Sequence, residues 1–132
     1  MDVEMADPVE AVNAVIRAHE AAVRAADVEA VLRNGAEDAV VLVANAPLVV
    51  GKEAIRELYT QMFAMATWDY RHEVAGTSVE GELVVVHGTA KGMMVPLGGQ
   101  AMPFANSFIL TFKRGPDGAW RFWRVAFAPA SA

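Results

Sequence analysis

The chain has 132 residues, no cysteine and a formal net charge of −5, with 55% hydrophobic and 20% charged side chains. That length sustains one core rather than two, so a single domain over 1–132 is expected, and the missing thiols exclude disulfides and thiolate zinc sites. An acidic balance without a basic cluster argues against nucleic acid, the apolar runs are too short to span a bilayer, and the acidic start Met1-Asp-Val-Glu4 does not read as a secretory signal, so a cytoplasmic location is expected.

In chain order, Asp7-Pro8-Val9-Glu10 combines an N-cap, a proline at the first helical position and an early acid, which together start a helix. Val9, Val12, Ile16, His19, Val23 and Ala26 then recur at spacings of three and four, so one helical face carries them all. A second short helix is predicted from the cap Asp27 to Asn34-Gly35. The β-branched run between Asp38 and Val50, broken at Asn45-Ala46-Pro47, predicts a hairpin. Gly51 opens a third helix, in which Ile55, Leu58, Tyr59, Met62 and Phe63 keep the helical period to about Ala66. Four long strands are predicted after it, Trp68 to Glu80, Leu83 to Val95, Met102 to Arg114 and Trp120 to Ala128, joined by glycine-containing turns. Short sequential connections imply an antiparallel meander, and helices gathered on one face of such a sheet define an α+β class.

This order resembles the nuclear transport factor 2-like superfamily, in particular its ketosteroid isomerase-like and SnoaL-like branches. The local carriers are Arg24-Ala-Ala-Asp27-Val-Glu-Ala-Val31, Ala36-Glu-Asp38-Ala39-Val40, Val50-Gly51-Lys-Glu-Ala-Ile55-Arg56-Glu-Leu-Tyr59 and Asp117-Gly118-Ala-Trp120-Arg121-Phe122. The resemblance implies a cone in which three helices pack on a curved, mixed but mostly antiparallel sheet, with an apolar pocket inside. It does not carry over the steroid isomerase machinery. That family's oxyanion-hole tyrosine falls on His19, its general base near Val43 and its protonated acid near Phe108, so both carboxylates are missing here.

His19 is the first candidate for chemistry, as acid, base or donor, because the resemblance puts its stripe against the pocket; the plainer reading is a core histidine with one hydrogen bond. His87 and His72 alternate with apolar residues on the first two long strands, and sequence alone leaves open which sheet face each occupies. Asn106 shares a face with Phe104 and Phe108 and reads as a polar anchor or a buried amide. Tyr59, Met62, Phe63, Trp68, Phe104, Phe108 and Trp123 offer an apolar lining, or equally a core. Glu37-Asp38 reads as a capping or solvated pair.

No spacing suggests a metal site, and no cofactor is expected. The expected function is that of a small-molecule pocket protein moving protons on an apolar or aromatic substrate, as an isomerase, cyclase or dehydratase. The alternative is a noncatalytic binding or dimerisation module. A homodimer is expected on the premise that the outer sheet face carries Val84 and Val86.

Overall fold

The computed structural model describes residues 7–130. The acidic N-terminal start lies outside them.

Helix α1 (Pro8–Arg24) begins where the sequence predicts, with the Asp7 carboxylate accepting a hydrogen bond from the Val9 amide at 3.0 Å. Helix α2 (Val28–Arg33) is capped likewise by Asp27 and gives way directly to β1 (Gly35–Val43). A turn leads into the two-residue β2 (Val49–Val50), and α3 (Lys52–Met65) follows. The meander then runs through β3 (Ala66–Glu80), β4 (Leu83–Pro96), β5 (Met102–Arg114) and β6 (Trp120–Pro129).

All six strands form one sheet in the order β2-β1-β6-β5-β4-β3. The predicted hairpin forms, with β1 pairing antiparallel to β2, but it is not a separate element: β1 also extends the meander by pairing parallel to β6, which makes the sheet mixed. Short-range signals predict the hairpin, but the β1–β6 pairing joins residues far apart in sequence. Helix α1 packs on the side of this α+β arrangement to which β4 and β5 turn their buried residues.

One face of β4 and β5 carries the core. Val84, Val86, Phe108, Leu110 and Phe112 are buried there against Val12 and Ile16 of α1 and Phe122 of β6. This corrects the expectation for Val84 and Val86: both are fully enclosed, and the outer face presents the odd-numbered neighbours, among them Ile109, 54% exposed. A second cluster joins Val23, Val31, Leu32, Val41, Ile55 and Tyr59 and fastens α2 and α3 to β1.

Strand β3 pairs with β4 along nearly its whole length and approaches it closely. At Gly92, opposite Tyr70, a Cβ would lie 2.1 Å from the Asp69 carbonyl and 2.5 Å from the Tyr70 Cα, so the close approach requires glycine. The irregular pairing between Val74 and Gly76 turns the far end of β3. Thr77 thereby comes opposite the core residue Val86 and under α1.

Candidate functional site

The second half of α1 meets β3 through polar groups. His19 is buried, and its Nε2 lies 3.2 Å from the Tyr70 hydroxyl. One turn's face over, Glu20 is also buried; its Oε2 accepts hydrogen bonds from the His72 amide at 2.7 Å and from His72 Nδ1 at 2.8 Å. Because Trp68, Tyr70 and His72 alternate along β3, their side chains share the inner face. Two helical residues therefore meet two strand residues in register, giving a pair of linked polar contacts inside an apolar shell.

Aromatic rings complete that shell. The His19 ring packs on Tyr59 at 5.8 Å and on Phe122 at 5.1 Å, and it lies 6.3 Å from His72. His72 packs on Phe108 at 5.0 Å, Tyr70 on Phe104 at 5.6 Å, and Phe104 on Trp68 at 5.4 Å. Tyr59 continues to Phe63, and the Trp68 indole donates to the Met62 carbonyl. Asn106, half-buried, faces the same side from β5.

This setting controls protonation. Burial, reinforced by the neighbouring His72, pushes the His19 pKa down to about 3, so its imidazole is neutral throughout the physiological range. Burial also lowers His72, although the Glu20 carboxylate opposes that shift. Both tyrosines are held in the phenol form by burial, Tyr59 up to about 12 and Tyr70 well above the usual value. His19 Nδ1 is buried without a protein partner. Placing the proton on Nε2 leaves only an acceptor lone pair unmet, the less costly of the two tautomers. In that tautomer His19 donates to the Tyr70 oxygen, and the Tyr70 hydroxyl proton is left to donate elsewhere.

Glu20 and His72 also border a groove of about 330 Å³ between α1 and the edge strand β3. His72 Nε2 makes no hydrogen bond among the described residues. A histidine whose Nδ1 is fixed on a carboxylate and whose Nε2 is unengaged is arranged as a proton acceptor.

Of the residues singled out from sequence, His19, Tyr59, Met62, Phe63, Trp68, Phe104, Asn106 and Phe108 lie along this inner side. Two do not, and their expected place in the pocket is corrected. His87 is exposed on the outer face, its ring over Gly76. Trp123 sits at the bulge where β5–β6 pairing slips between Thr111 and Phe112, so it leaves the alternation and lies against Lys113 and Arg124. Glu20 and Tyr70 are not among the residues that the sequence singles out, and the face of His72 is open from sequence alone. The signals were present: Glu20 stands four residues after Ile16 on the packed face, and Tyr70 and His72 continue the alternation of Trp68. Among the described residues no group of three histidine or acidic side chains is placed to hold a metal, and no helix is long and apolar enough to cross a membrane.

A SnoaL-like domain model matches residues 15–123, a span containing the whole network. The chain belongs to this SnoaL-like family. No curated protein matches it at a significant level. Solved structures with the same nuclear transport factor 2-like fold are similar over nearly the full length of this SnoaL-like chain. A ketosteroid isomerase-like protein from Erwinia carotovora atroseptica superposes with a TM-score of 0.86 at 21% identity, covering 96% of this chain and 98% of the other. A Novosphingobium aromaticivorans protein, provisionally an aromatic ring hydroxylase, gives 0.80 at 25% identity over 96% and 94%. A provisional dehydratase of the NTF2-like family from Streptomyces avermitilis gives 0.75 at 20% identity over 94% and 96%.

Proposed function

We propose that this SnoaL-like domain catalyses proton transfer on a small molecule with an apolar or aromatic body, without a cofactor. The observation that carries the reading is the pairing of Glu20–His72 with His19–Tyr70 in one aromatic-lined seam. His72 Nε2 takes a proton from a carbon next to a carbonyl, and Glu20 stabilises the imidazolium that forms. The carbonyl oxygen gains negative charge in that step, and the Tyr70 hydroxyl donates to it. His19, donating in turn to Tyr70, strengthens that hydrogen bond without changing its own charge. With a pKa of about 3, His19 is a poor base, so its part is that of a neutral donor. Asn106 orients the substrate from the opposite wall. Returning the proton to another carbon gives an isomerase, and loss of a β-hydroxyl as water gives a dehydratase, the chemistry named for the Streptomyces avermitilis neighbour.

The test is proton exchange itself. A panel of aryl ketones in deuterated buffer is followed by NMR, with the wild type, His72→Gln and Glu20→Gln. Exchange above the buffer rate that falls on the order of 100-fold in His72→Gln supports the reading. An unchanged rate in a folded His72→Gln protein removes His72 from the step.

One observation favours a second reading, a binding or dimerisation module. The outer face exposes Ile109 beside Leu42, 49% exposed, on a shallow apolar groove of about 340 Å³ that includes Ala126 and Ala128. A homodimer through this face follows from that reading and is compatible with the first. Light scattering of the wild type and Ile109→Asp tests it: a dimer that dissociates in the variant is expected, and a wild-type monomer at high concentration overturns it.

A further inference from the structure

Four of the chain's eight arginines face a carboxylate among the described residues. They are Arg24, Arg56, Arg114 and Arg121, with Arg121 meeting Asp117 through both amino groups and Arg114 meeting Glu82 through Nε and one amino group. Of the four without one, Arg33 and Arg124 lie elsewhere, whereas Arg17 and Arg71 both border the groove in which Glu20 and His72 lie. Arg17 and Arg71 come from opposite walls: Arg17 stands one turn before Glu20 on α1, and Arg71, next to His72 but on the alternate face of β3, borders the groove at the open edge of that strand. The larger groove of about 630 Å³ at the other side of the molecule offers a contrast. Its Lys52 and Arg121 are engaged by Glu37 and Asp117 and its Lys113 lies over Trp123, while Arg33, without a carboxylate partner among the described residues, shares the groove with the carboxylates of Glu37, Asp38 and Asp117.

We infer that the α1–β3 groove takes a small monocarboxylic acid, its carboxylate held between Arg17 and Arg71 and its apolar body directed past Ile16 and Val74 towards His72. This deepens the proton-transfer reading and rests on it for the role of His72. The chemistry follows from the lining. Guanidinium groups match a carboxylate in shape and charge, and unpaired arginines at a rim retain that capacity. The negative charge at the floor is Glu20, whose Oε2 already accepts two hydrogen bonds from His72. It disfavours a dianion close by, so a single carboxylate fits better than a phosphate monoester. Asn13 and Thr77 add neutral polar contacts, and the volume lies at the small end of the range for ligand pockets. A carboxylate anchored at the rim also fixes the direction in which the rest of the molecule enters, which is what orientation of a carbon acid against His72 requires.

The experiment measures binding of phenylacetate and of its neutral isostere phenylacetamide by calorimetry, at low and high salt, with the wild type, the Arg17→Gln/Arg71→Gln double variant and His72→Gln. Both arginine side chains reach solvent, so the double variant is expected to fold, and its thermal melt verifies that. The expected result is a preference for phenylacetate of about tenfold that weakens with salt, disappears in the double variant and survives in His72→Gln. Equal affinity for the two compounds, a preference that persists in the double variant, or no binding of either compound by the wild type overturns the inference. Carboxylate preference without catalysed exchange would remove the proton-transfer reading and leave the arginine grip. Exchange without the preference would do the reverse.

Discussion

Helix α1 spans two different interiors. Its first half sets Val12 and Ile16 against Val84, Val86, Leu110 and Phe112, a surface with no polar atom to satisfy. Its second half sets His19 and Glu20 against Tyr70 and His72, where each contact is a hydrogen bond with a fixed partner. Both regions are buried, but they do different work. Burial of apolar area in the first stabilises the fold in proportion to the surface removed from water. In the second, desolvation of two histidines and a carboxylate is costly, and the hydrogen bonds among them largely offset that cost. The first half of α1 thus contributes apolar burial alone, while the second combines it, at Ala22 and Val23, with the polar contacts.

The sharpest way to break this division is to hollow out the apolar half. Phe112 is fully buried and packs on Phe122 at 4.6 Å. Phe112→Ala is expected to cost about 3–5 kcal/mol, read as a lowered midpoint in urea denaturation. If the two halves are separable, the remaining folded protein keeps its capacity for proton exchange, since Phe112 touches neither His72 nor Tyr70 among the aromatic contacts.

A smaller effect should come from the polar half, through pH. The folded state holds His19 at a pKa of about 3, below its ordinary value of 6.5, because burial disfavours the charged ring. Between these values the unfolded chain binds a proton that the folded chain does not, so stability rises with pH and is lost as pH falls from 6.5 towards 3. From pH 7 to pH 5 this one group contributes a loss of about 2 kcal/mol. His72, lowered in the same direction, adds to it. Urea denaturation at the two pH values should therefore show a steeper loss in the wild type than in His19→Phe. An equal loss in both would mean that His19 takes up its proton in the folded protein, contrary to its enclosure.

The apolar half was far more legible in the sequence than the polar half. Caps at Asp7 and Asp27, the helical period of Val12, Ile16 and Val23, and the alternation along the long strands are local signals, and they yielded the elements nearly to their ends. His19 is legible because it stands in an apolar stripe. Its partners were harder, since Glu20 and His72 are separated by 52 positions and a charged residue on a helix reads as solvated until the strand opposite is known. Face assignment failed for the same reason at Val84 and Val86: alternation gives two faces without saying which one the helices cover. Trp123 was misplaced by a bulge, a one-residue slip that no local pattern announced.

The outer face supplies the smallest prediction and a control for the comparison. At Gly76, beside the irregularity that turns the end of β3 under α1, a Cβ would come within 2.4 Å of the His87 ring. That ring is exposed and its contacting atoms belong to a side chain, so it can give way at modest cost. Gly76→Ala is therefore expected to destabilise by about 1 kcal/mol in the wild type, the steric penalty exceeding the gain from stiffening the unfolded chain. In a His87→Ala background the collision is gone, and the same substitution becomes neutral or slightly stabilising. Urea denaturation of the four proteins closes this double-mutant cycle. A penalty that persists without His87 would place the strain in the β3 backbone instead. In that case Gly76, like Gly92, would serve the close pairing of β3 with β4, and outer-face packing would not contribute.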